Sequence, residues 1–173
     1  MKILVFGIPG SGKTTFSNRL SEITGIPVFH IDRHFFEPGP GWKKRPHEDF
    51  LDDVRGQLEK DRWIIDGNGM RTLEMRFKEA NLVIYCAQPL WKCYFRIVKR
   101  AIAGFALGRE RADCPEGAAN IITWRLLSYV WNFKAKYGPS IDKLHRQYPG
   151  IEFIHASSDQ DLQKILDDLA NRK

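Results

Sequence analysis

An α/β fold built on a parallel sheet is the architecture predicted by three features of this 173-residue sequence. A short apolar run opens the chain and feeds a glycine-rich turn that gives way at once to helical periodicity. Four more apolar runs of strand length recur downstream. Stretches with helical spacing lie between the runs, the alternation that makes successive strands parallel neighbours in one sheet.

The first run is Ile3-Leu4-Val5-Phe6, unbroken by polar residues as in a strand buried on both faces. The turn after it, Gly7-Ile8-Pro9-Gly10-Ser11-Gly12-Lys13-Thr14, satisfies G-x-x-x-x-G-K-[ST]. Its place between a strand and a helix is the context that marks a phosphate-binding P-loop. Backbone N–H groups of such a loop wrap phosphates, the lysine reaches the outer oxygens, and the hydroxyl of Thr14 is placed to ligate Mg²⁺. A Cβ at Gly7, Gly10 or Gly12 would hinder both the backbone angles and the approach of phosphate. Gly7, Pro9, Gly10, Ser11, Gly12, Lys13, Thr14 and Thr15 are therefore the candidate nucleotide-binding residues.

Phe16, Leu20 and Ile23 stripe the following helix until Gly25 stops it and Pro27 excludes its continuation. Val28-Phe29-His30-Ile31 is the second strand, ending in Asp32. Residues 35–42, Phe-Phe-Glu-Pro-Gly-Pro-Gly-Trp, are too rich in Pro and Gly for a helix and too aromatic for an idle linker, so they read as a binding loop. Pro46 opens a helix striped by Phe50, Val54 and Leu58, with Leu51 beside them. Trp63-Ile64-Ile65 is a buried strand running into Asp66-Gly67-Asn68-Gly69, and Leu82-Val83-Ile84-Tyr85 is another, ending near Gln88-Pro89. Two strand ends thus carry aspartates.

A helix is expected from Pro89 to Gly104, and the Gly, Arg, Asp, Pro and Glu of residues 104–117 read as a lid. Ala118 to Phe133 reads as a helix so rich in Ile, Leu, Trp, Tyr and Phe that most of its perimeter is expected to be covered. Tyr148-Pro149-Gly150 turns the chain into the last strand, Ile151-Glu152-Phe153-Ile154, and Leu162, Ile165, Leu166 and Leu169 stripe a closing helix.

The length suits one domain over residues 1–173, and the sequence shows no repeat, low-complexity tract or linker. Three cysteines, Cys86, Cys93 and Cys114, form no C-x-x-C pair, and no secretory leader is visible, so reduced thiols and a cytoplasmic location are expected. Lys92, Arg96, Lys99 and Arg100 interrupt the most apolar helix, and no membrane span is expected. The net charge of +6 is concentrated in residues 89–137, where nine Lys and Arg face three acidic residues. Such a region can attract nucleic acid or neutralise a nucleoside triphosphate during phosphoryl transfer.

In its P-loop and in the order of its elements the chain resembles the P-loop nucleoside and nucleotide kinases, the adenylate-kinase-like group. The resemblance implies a three-layer αβα domain with five mainly parallel strands in the order 2-3-1-4-5 and a helical lid. It also implies ATP and Mg²⁺. In that family the third strand ends in Asp-Gly, matched by Asp66-Gly67, and the Asp holds hydrated Mg²⁺. A helical Arg-x-x-x-Arg before the lid is matched by Arg96 and Arg100, the first stacking on adenine and the second touching phosphate. Arg125-Leu126 resembles the post-lid arginine that reaches the reacting phosphates. Pro-Gly-Trp after the second strand, Trp-Ile-Ile-Asp-Gly-Asn, and Arg-Glu followed by Cys-Pro-Glu look like the small bacterial DNA topology modulation proteins. One departure concerns the acceptor: adenylate kinases place Pro-Arg soon after Asp-Gly-Phe, whereas here Asn68-Gly69-Met70 precedes Arg71 without proline, so the acceptor need not be AMP. A lid zinc site, which would need four ligands, is not expected beside a lone Cys114.

Phosphoryl transfer asks of a protein an aligned acceptor, a metal across the phosphates and positive charge where negative charge accumulates. Lys13, Arg100 and Arg125 are the candidate catalytic cations, Arg96 a nucleotide-binding one, and Thr14 and Asp66 the candidate metal site. Asp32 lies where related small-molecule kinases carry an acid that orients or deprotonates an acceptor hydroxyl, and Phe35, Trp42 and Arg71 are the other candidate acceptor-binding residues. The expected partners are ATP and a small-molecule acceptor. An ATP-binding regulator acting on DNA and an NTPase without a dedicated acceptor are the alternatives.

Overall fold

Five strands, β1 (Lys2–Gly7), β2 (Val28–His30), β3 (Trp63–Asp66), β4 (Leu82–Cys86) and β5 (Glu152–Ala156), form one parallel sheet in the order β2-β3-β1-β4-β5. This is the predicted order. The computed structural model describes residues 1–39, 42–107, 114, 117 and 122–171, with the backbone alone at 105–107. The helices are α1 (Lys13–Thr24), α2 (Ile31–Phe35), α3 (His47–Leu58), α4 (Leu73–Glu79), α5 (Leu90–Leu107), α6 (Trp124–Gln147) and α7 (Asp159–Asn171), with a 3₁₀ turn at Met70–Thr72.

The unbroken apolar strands are explained by cores on both faces of the sheet. Because successive side chains of a strand point to opposite faces, Leu4 and Phe6 of β1 join Ile65, Val83 and Tyr85 in one cluster, closed by Phe50 of α3, Phe77 of α4, Ile97 of α5 and Val130 and Phe133 of α6. Ile3 and Val5 join Ile64 and Ile84 on the other face, closed by Phe16 and Leu20 of α1 and Ile165 and Leu166 of α7. With every pairing parallel, the turns after β1, β2, β3 and β4 all emerge at one edge of the sheet, where open α/β folds bind ligands.

Several local expectations are corrected. The second strand stops at His30, the last residue paired with β3, and Ile31 and Asp32 begin the five-residue α2 instead of ending the strand. Ile31 is fully buried, and an added Cβ at Gly67 would lie 3.1 Å from it, so the chain turns as soon as this side chain fills the gap beside the β3 turn. The helix expected to stop at Gly104 continues to Leu107. The helix expected over Ala118–Phe133 starts at Trp124, where the Thr123 hydroxyl caps it by accepting from the Leu126 N–H at 3.1 Å.

That helix then runs through Gly138-Pro139 to Gln147, a stretch left unassigned by sequence. Proline costs the helix one backbone donor. Burial of Ile141 and Leu144 beyond it supplies the tertiary packing that holds the last turns in place. Its perimeter is not mostly covered: Val130 and Phe133 are buried, but Trp124 and Trp131 face solvent. The lid expected at 104–117 falls largely outside the described residues, as do Arg109 and Arg111.

Docking of α6 is tested by Phe133→Ala. Truncating this fully buried ring is expected to lower the free energy of unfolding by about 3–5 kcal/mol, read by denaturant titration.

Candidate active site at the carboxyl edge of the sheet

The P-loop follows from how β1 meets its neighbours. Gly7, Gly10 and Gly12 have φ of 139°, 83° and 92°, a region that side chains disfavour. A Cβ at Gly7 would lie 2.1 Å from the Cys86 carbonyl oxygen, and one at Gly10 would lie 2.5 Å from that of Cys93. These two glycines are thus demanded by the backbones of β4 and α5 as well as by any phosphate. The Ile8 N–H donates to Cys86 at 3.0 Å, and the Ser11 N–H donates to the Ile8 carbonyl at 3.1 Å. Lys13 Nζ donates to that same carbonyl at 2.9 Å, which keeps the ammonium on the loop. A phosphate oxygen is the stronger acceptor and can take over this donor.

Register supplies the next component. Val5 of β1 lies opposite Asp66 of β3, so the Asp66 carboxylate emerges beside the start of α1. The Thr14 hydroxyl donates to Asp66 Oδ2 at 3.0 Å, and His30 Nδ1 lies 3.1 Å from the same oxygen. Asp66 Oδ1 is buried and has no hydrogen-bond partner among the described residues. A buried carboxylate oxygen left open beside a threonine hydroxyl at the head of a P-loop fits a hard divalent cation, and Thr14 and Asp66 are the residues that can hold Mg²⁺. Two residues further on, Asn68 Oδ1 accepts the Gly7 N–H at 3.0 Å, and between them the Gly67 N–H donates to the Val5 carbonyl at 3.0 Å. The β3 turn is thereby bonded to the first residue of the P-loop.

Arg76, which sequence reasoning missed, holds this turn from beneath. It is fully buried and donates to the carbonyls of Gly67 at 3.0 Å, Gly69 at 2.9 Å and Asn68, and through Nε to the Thr72 hydroxyl at 3.1 Å. Burial pulls the guanidinium down from its ordinary value to about 9, and the charges of Asp32 and Asp66 work against that fall, so it remains protonated at neutral pH. One cation therefore satisfies three carbonyls of the turn after β3 and lies near two carboxylates. A readable signal existed: Leu73, Arg76 and Phe77 share one face of α4, which puts an arginine on the buried stripe.

The sheet order separates the site into two sides. On the β3-β2 side of the P-loop, a single cleft of about 1740 Å³ is lined by Asp32, Phe35, Phe36, Trp42 and Arg71. On the β4-β5 side, Arg96 and Arg100 of α5 and Asp159 of α7 line the same cleft, and Arg125 of α6 also lines it. Every sequence-predicted catalytic, metal and acceptor residue therefore borders one cavity. Arg96 donates to the Ser11 carbonyl at 3.2 Å and to Asp159 at 2.6 Å, so its fork is aimed across the P-loop. The bond from Arg96, with Lys92 adding to it, holds the Asp159 carboxyl below its usual range.

The aromatic loop is organised as a small antiparallel hairpin. The Glu37 N–H donates to Lys43 at 2.7 Å and the Arg45 N–H to Phe35 at 3.0 Å. Phe35 packs edge-on against Phe50 and Phe36, and Trp42 packs edge-on against Phe36 at 5.1 Å between ring centroids. Trp42 has φ of 49°, an unfavourable angle for a bulky residue and of the kind found at binding sites. Arg45 and His34 both bond Asp53 of α3, tying the hairpin down. Burial acts to raise the Asp53 carboxyl, and those two bonds outweigh it, leaving it below its ordinary value. Tyr129 of α6 lines the same cleft; burial, with the charges of Tyr137 and Asp32, raises its phenol well above the ordinary range. Cys86 and Cys93 take no part as nucleophiles, since burial raises both thiols, Cys86 to about 12.

Sheet order, P-loop and edge-of-sheet cleft define an αβα P-loop nucleotide-binding protein. A family model described as an AAA domain matches residues 3–103, more than half of the chain, and the chain belongs to that family. No curated protein matches it in sequence. Among solved structures it is similar to a shikimate kinase from Acinetobacter baumannii in complex with shikimate, with TM-score 0.60, 13% identity, and coverage of 100% of this chain and 95% of that one. It is similar as well to a deoxyadenosine kinase from M. mycoides with bound dATP, with TM-score 0.57, 16% identity, and coverage of 99% and 98%. A sugar kinase from Janibacter sp., unliganded, matches with TM-score 0.51, 18% identity, and coverage of 99% and 90%. The likeness is one of fold, the P-loop kinase fold.

The clasp beneath the β3 turn is tested by Arg76→Met, which keeps the apolar stem and removes the donors. Orphaning the carbonyls of Gly67, Asn68 and Gly69 is expected to lower the free energy of unfolding by about 3 kcal/mol and the Tm by about 6–12 °C, measured by thermal and denaturant melts.

Proposed function

We propose that the protein is an ATP-dependent phosphotransferase that moves the γ-phosphoryl group of ATP to a nucleotide, a nucleoside or another small hydroxyl acceptor. The observation that carries this reading is the two-sided cleft: a P-loop and its Thr14–Asp66 pair at the centre, cations on the β4-β5 side, and a carboxylate with an aromatic wall on the β3-β2 side. A pocket for one small ligand usually encloses roughly 300–1,000 Å³. The cleft of about 1740 Å³ exceeds that, as a site for two substrates should.

The residues divide the work by position. The P-loop N–H groups and Lys13 bind the phosphates of ATP, and Arg96, held between Ser11 and Asp159, binds on the nucleotide side. Arg100 and Arg125 line the cleft where charge on the transferring group is offset. Thr14, and Asp66 through water, would hold Mg²⁺, which would add to the neutralisation of the phosphates. Phe35, Phe36 and Trp42 form the apolar wall for the acceptor, and Arg71 meets its polar end. For a hydroxyl acceptor, Asp32 takes the proton as the acceptor oxygen bonds to the γ-phosphorus; the bond from that phosphorus to the bridging oxygen breaks, and ADP leaves.

The kinase names of the structural neighbours support the class of small acceptor. A regulator acting on DNA would use the basic side chains on an open face, whereas Arg96, Arg100, Arg125 and Lys136 all border the cleft. An NTPase without an acceptor would leave Asp32 and the hairpin with no role.

The test is transfer of labelled γ-phosphate from ATP to a panel of nucleosides, nucleoside monophosphates and small polyols. With the acceptor so identified, Asp32→Asn is expected to reduce turnover about a hundredfold or more while leaving ATP affinity unchanged. Unchanged turnover with lowered stability would make Asp32 a structural residue of α2 and remove the proposed acceptor site.

A further inference from the structure

Trp91, Phe95, Val98 and Ile102 of α5 are 67%, 63%, 43% and 63% exposed, although all four are large and apolar. Their spacing of four, three and four residues puts them in one narrow line along the helix. The opposite side of α5 is fully used: Cys93 and Ile97 are in the core, and Arg96 is bonded to the P-loop and to Asp159. The exposed line is therefore neither a core face nor part of the cleft. Among the described residues no element covers it.

We propose that the line is one half of an isologous interface, and that the protein is a homodimer joined through α5. Three observations select a second copy as the occupant. The four-three-four spacing is the 3.5-residue repeat by which two helices interdigitate knobs into holes, so the stripe is complementary to itself across a two-fold axis. It is also a narrow seam, in contrast to the broad apolar face with which a helix lies in a lipid surface.

Area is the second selector. Whole aromatic side chains present about 150–250 Å² each, so these four expose on the order of 450 Å² per copy at their fractional exposures. Pairing two copies removes at most about 900 Å² from these residues alone, so neighbouring side chains must carry the interface past the roughly 1,000 Å² that a specific one reaches. Helix α6, bonded to α5 through the Tyr94 hydroxyl donating to the Leu127 carbonyl at 3.0 Å, exposes Trp124 at 85% and Trp131 at 67%, seven residues apart on one face, and can widen the buried area.

Charge is the third. Lys92, whose ammonium lies 5.7 Å from the centroid of the Trp91 ring, is paired with Asp159 at 3.4 Å, so the cation on the first turns brings its own counter-charge to the stripe. The dimer axis then runs past the outer face of α5 while both clefts stay open.

The test is sedimentation velocity of the full chain from about 1 to about 100 µM, with Phe95→Asp and Ile102→Asp as separate variants. The wild type is expected at twice its 20.1 kDa mass, and each variant is expected to weaken association about a hundredfold with an unchanged circular dichroism spectrum and Tm. Because both side chains are already exposed, the substitutions should fold; Val98→Gln serves in place of either that does not. A wild type that stays monomeric at the highest concentration overturns the proposal. Co-sedimentation of that monomer with anionic phospholipid vesicles would assign the stripe to a membrane surface instead. A dimer that survives both aspartate variants also overturns it, by placing the interface elsewhere.

Discussion

The parallel pairing of β1 with β3 is the constraint on which the site depends. With Val5 opposite Asp66, the strand that carries the P-loop and the strand that carries the carboxylate end together, and Thr14 and Asp66 come within 3.0 Å. A shift of one residue would turn Asp66 to the opposite face of the sheet, since side chains alternate along a strand. The register is specified from both faces, because Ile64 belongs to one core and Ile65 to the other. Asn68 adds a local lock by bonding Gly7, and Arg76 adds a second by gathering the carbonyls beyond it. Core packing, backbone geometry and site chemistry thus converge on the same few residues.

The site also retains features that packing alone would not favour. Asp66 keeps one buried oxygen without a hydrogen-bond partner among the described residues, Arg76 is a fully buried cation, and Trp42 has a positive φ. The open oxygen and the strained angle cost stability, the bonds of Arg76 outweigh the desolvation of its charge, and all three lie at the same edge of the sheet, the distribution expected where a fold keeps polar groups for a ligand. The remaining binding geometry rests on neighbours outside the sequence motifs. Asp159 aims Arg96 from α7, and Asp53 secures the aromatic hairpin from α3.

Much of this was legible in the chain. The five apolar runs and the stripes of α1, α3 and α7 follow from periodicity, because two buried faces demand continuous apolar strands and one-sided helices, whereas the strand order came from the resemblance to P-loop kinases. The P-loop was readable because its glycines are steric requirements. The ends of elements were less so. Asp32 was placed at a strand end and stands in α2, because the packing of Ile31 against Gly67 is a long-range fact. The length of α6 was missed because Gly138-Pro139 looks like a break, and only the burial of Ile141 and Leu144 overrides it. Asp159 belongs to no spacing rule, since its partner lies in another element, and helical spacing puts Arg76 on the buried stripe of α4 without naming the turn carbonyls that it meets. The aromatic content of α6 was read as interior; hydrophobicity says that a side chain seeks cover, not whether its own chain supplies it.

The most direct measurement is a calorimetric titration of the wild-type protein with a non-hydrolysable ATP analogue, in Mg²⁺ and in chelator, repeated with Asp66→Asn. The account predicts wild-type binding that is tighter with Mg²⁺, and an Asp66→Asn protein in which that Mg²⁺ dependence is largely lost while the fold persists. No binding by the wild type, or binding equally strong with and without Mg²⁺, would contradict it.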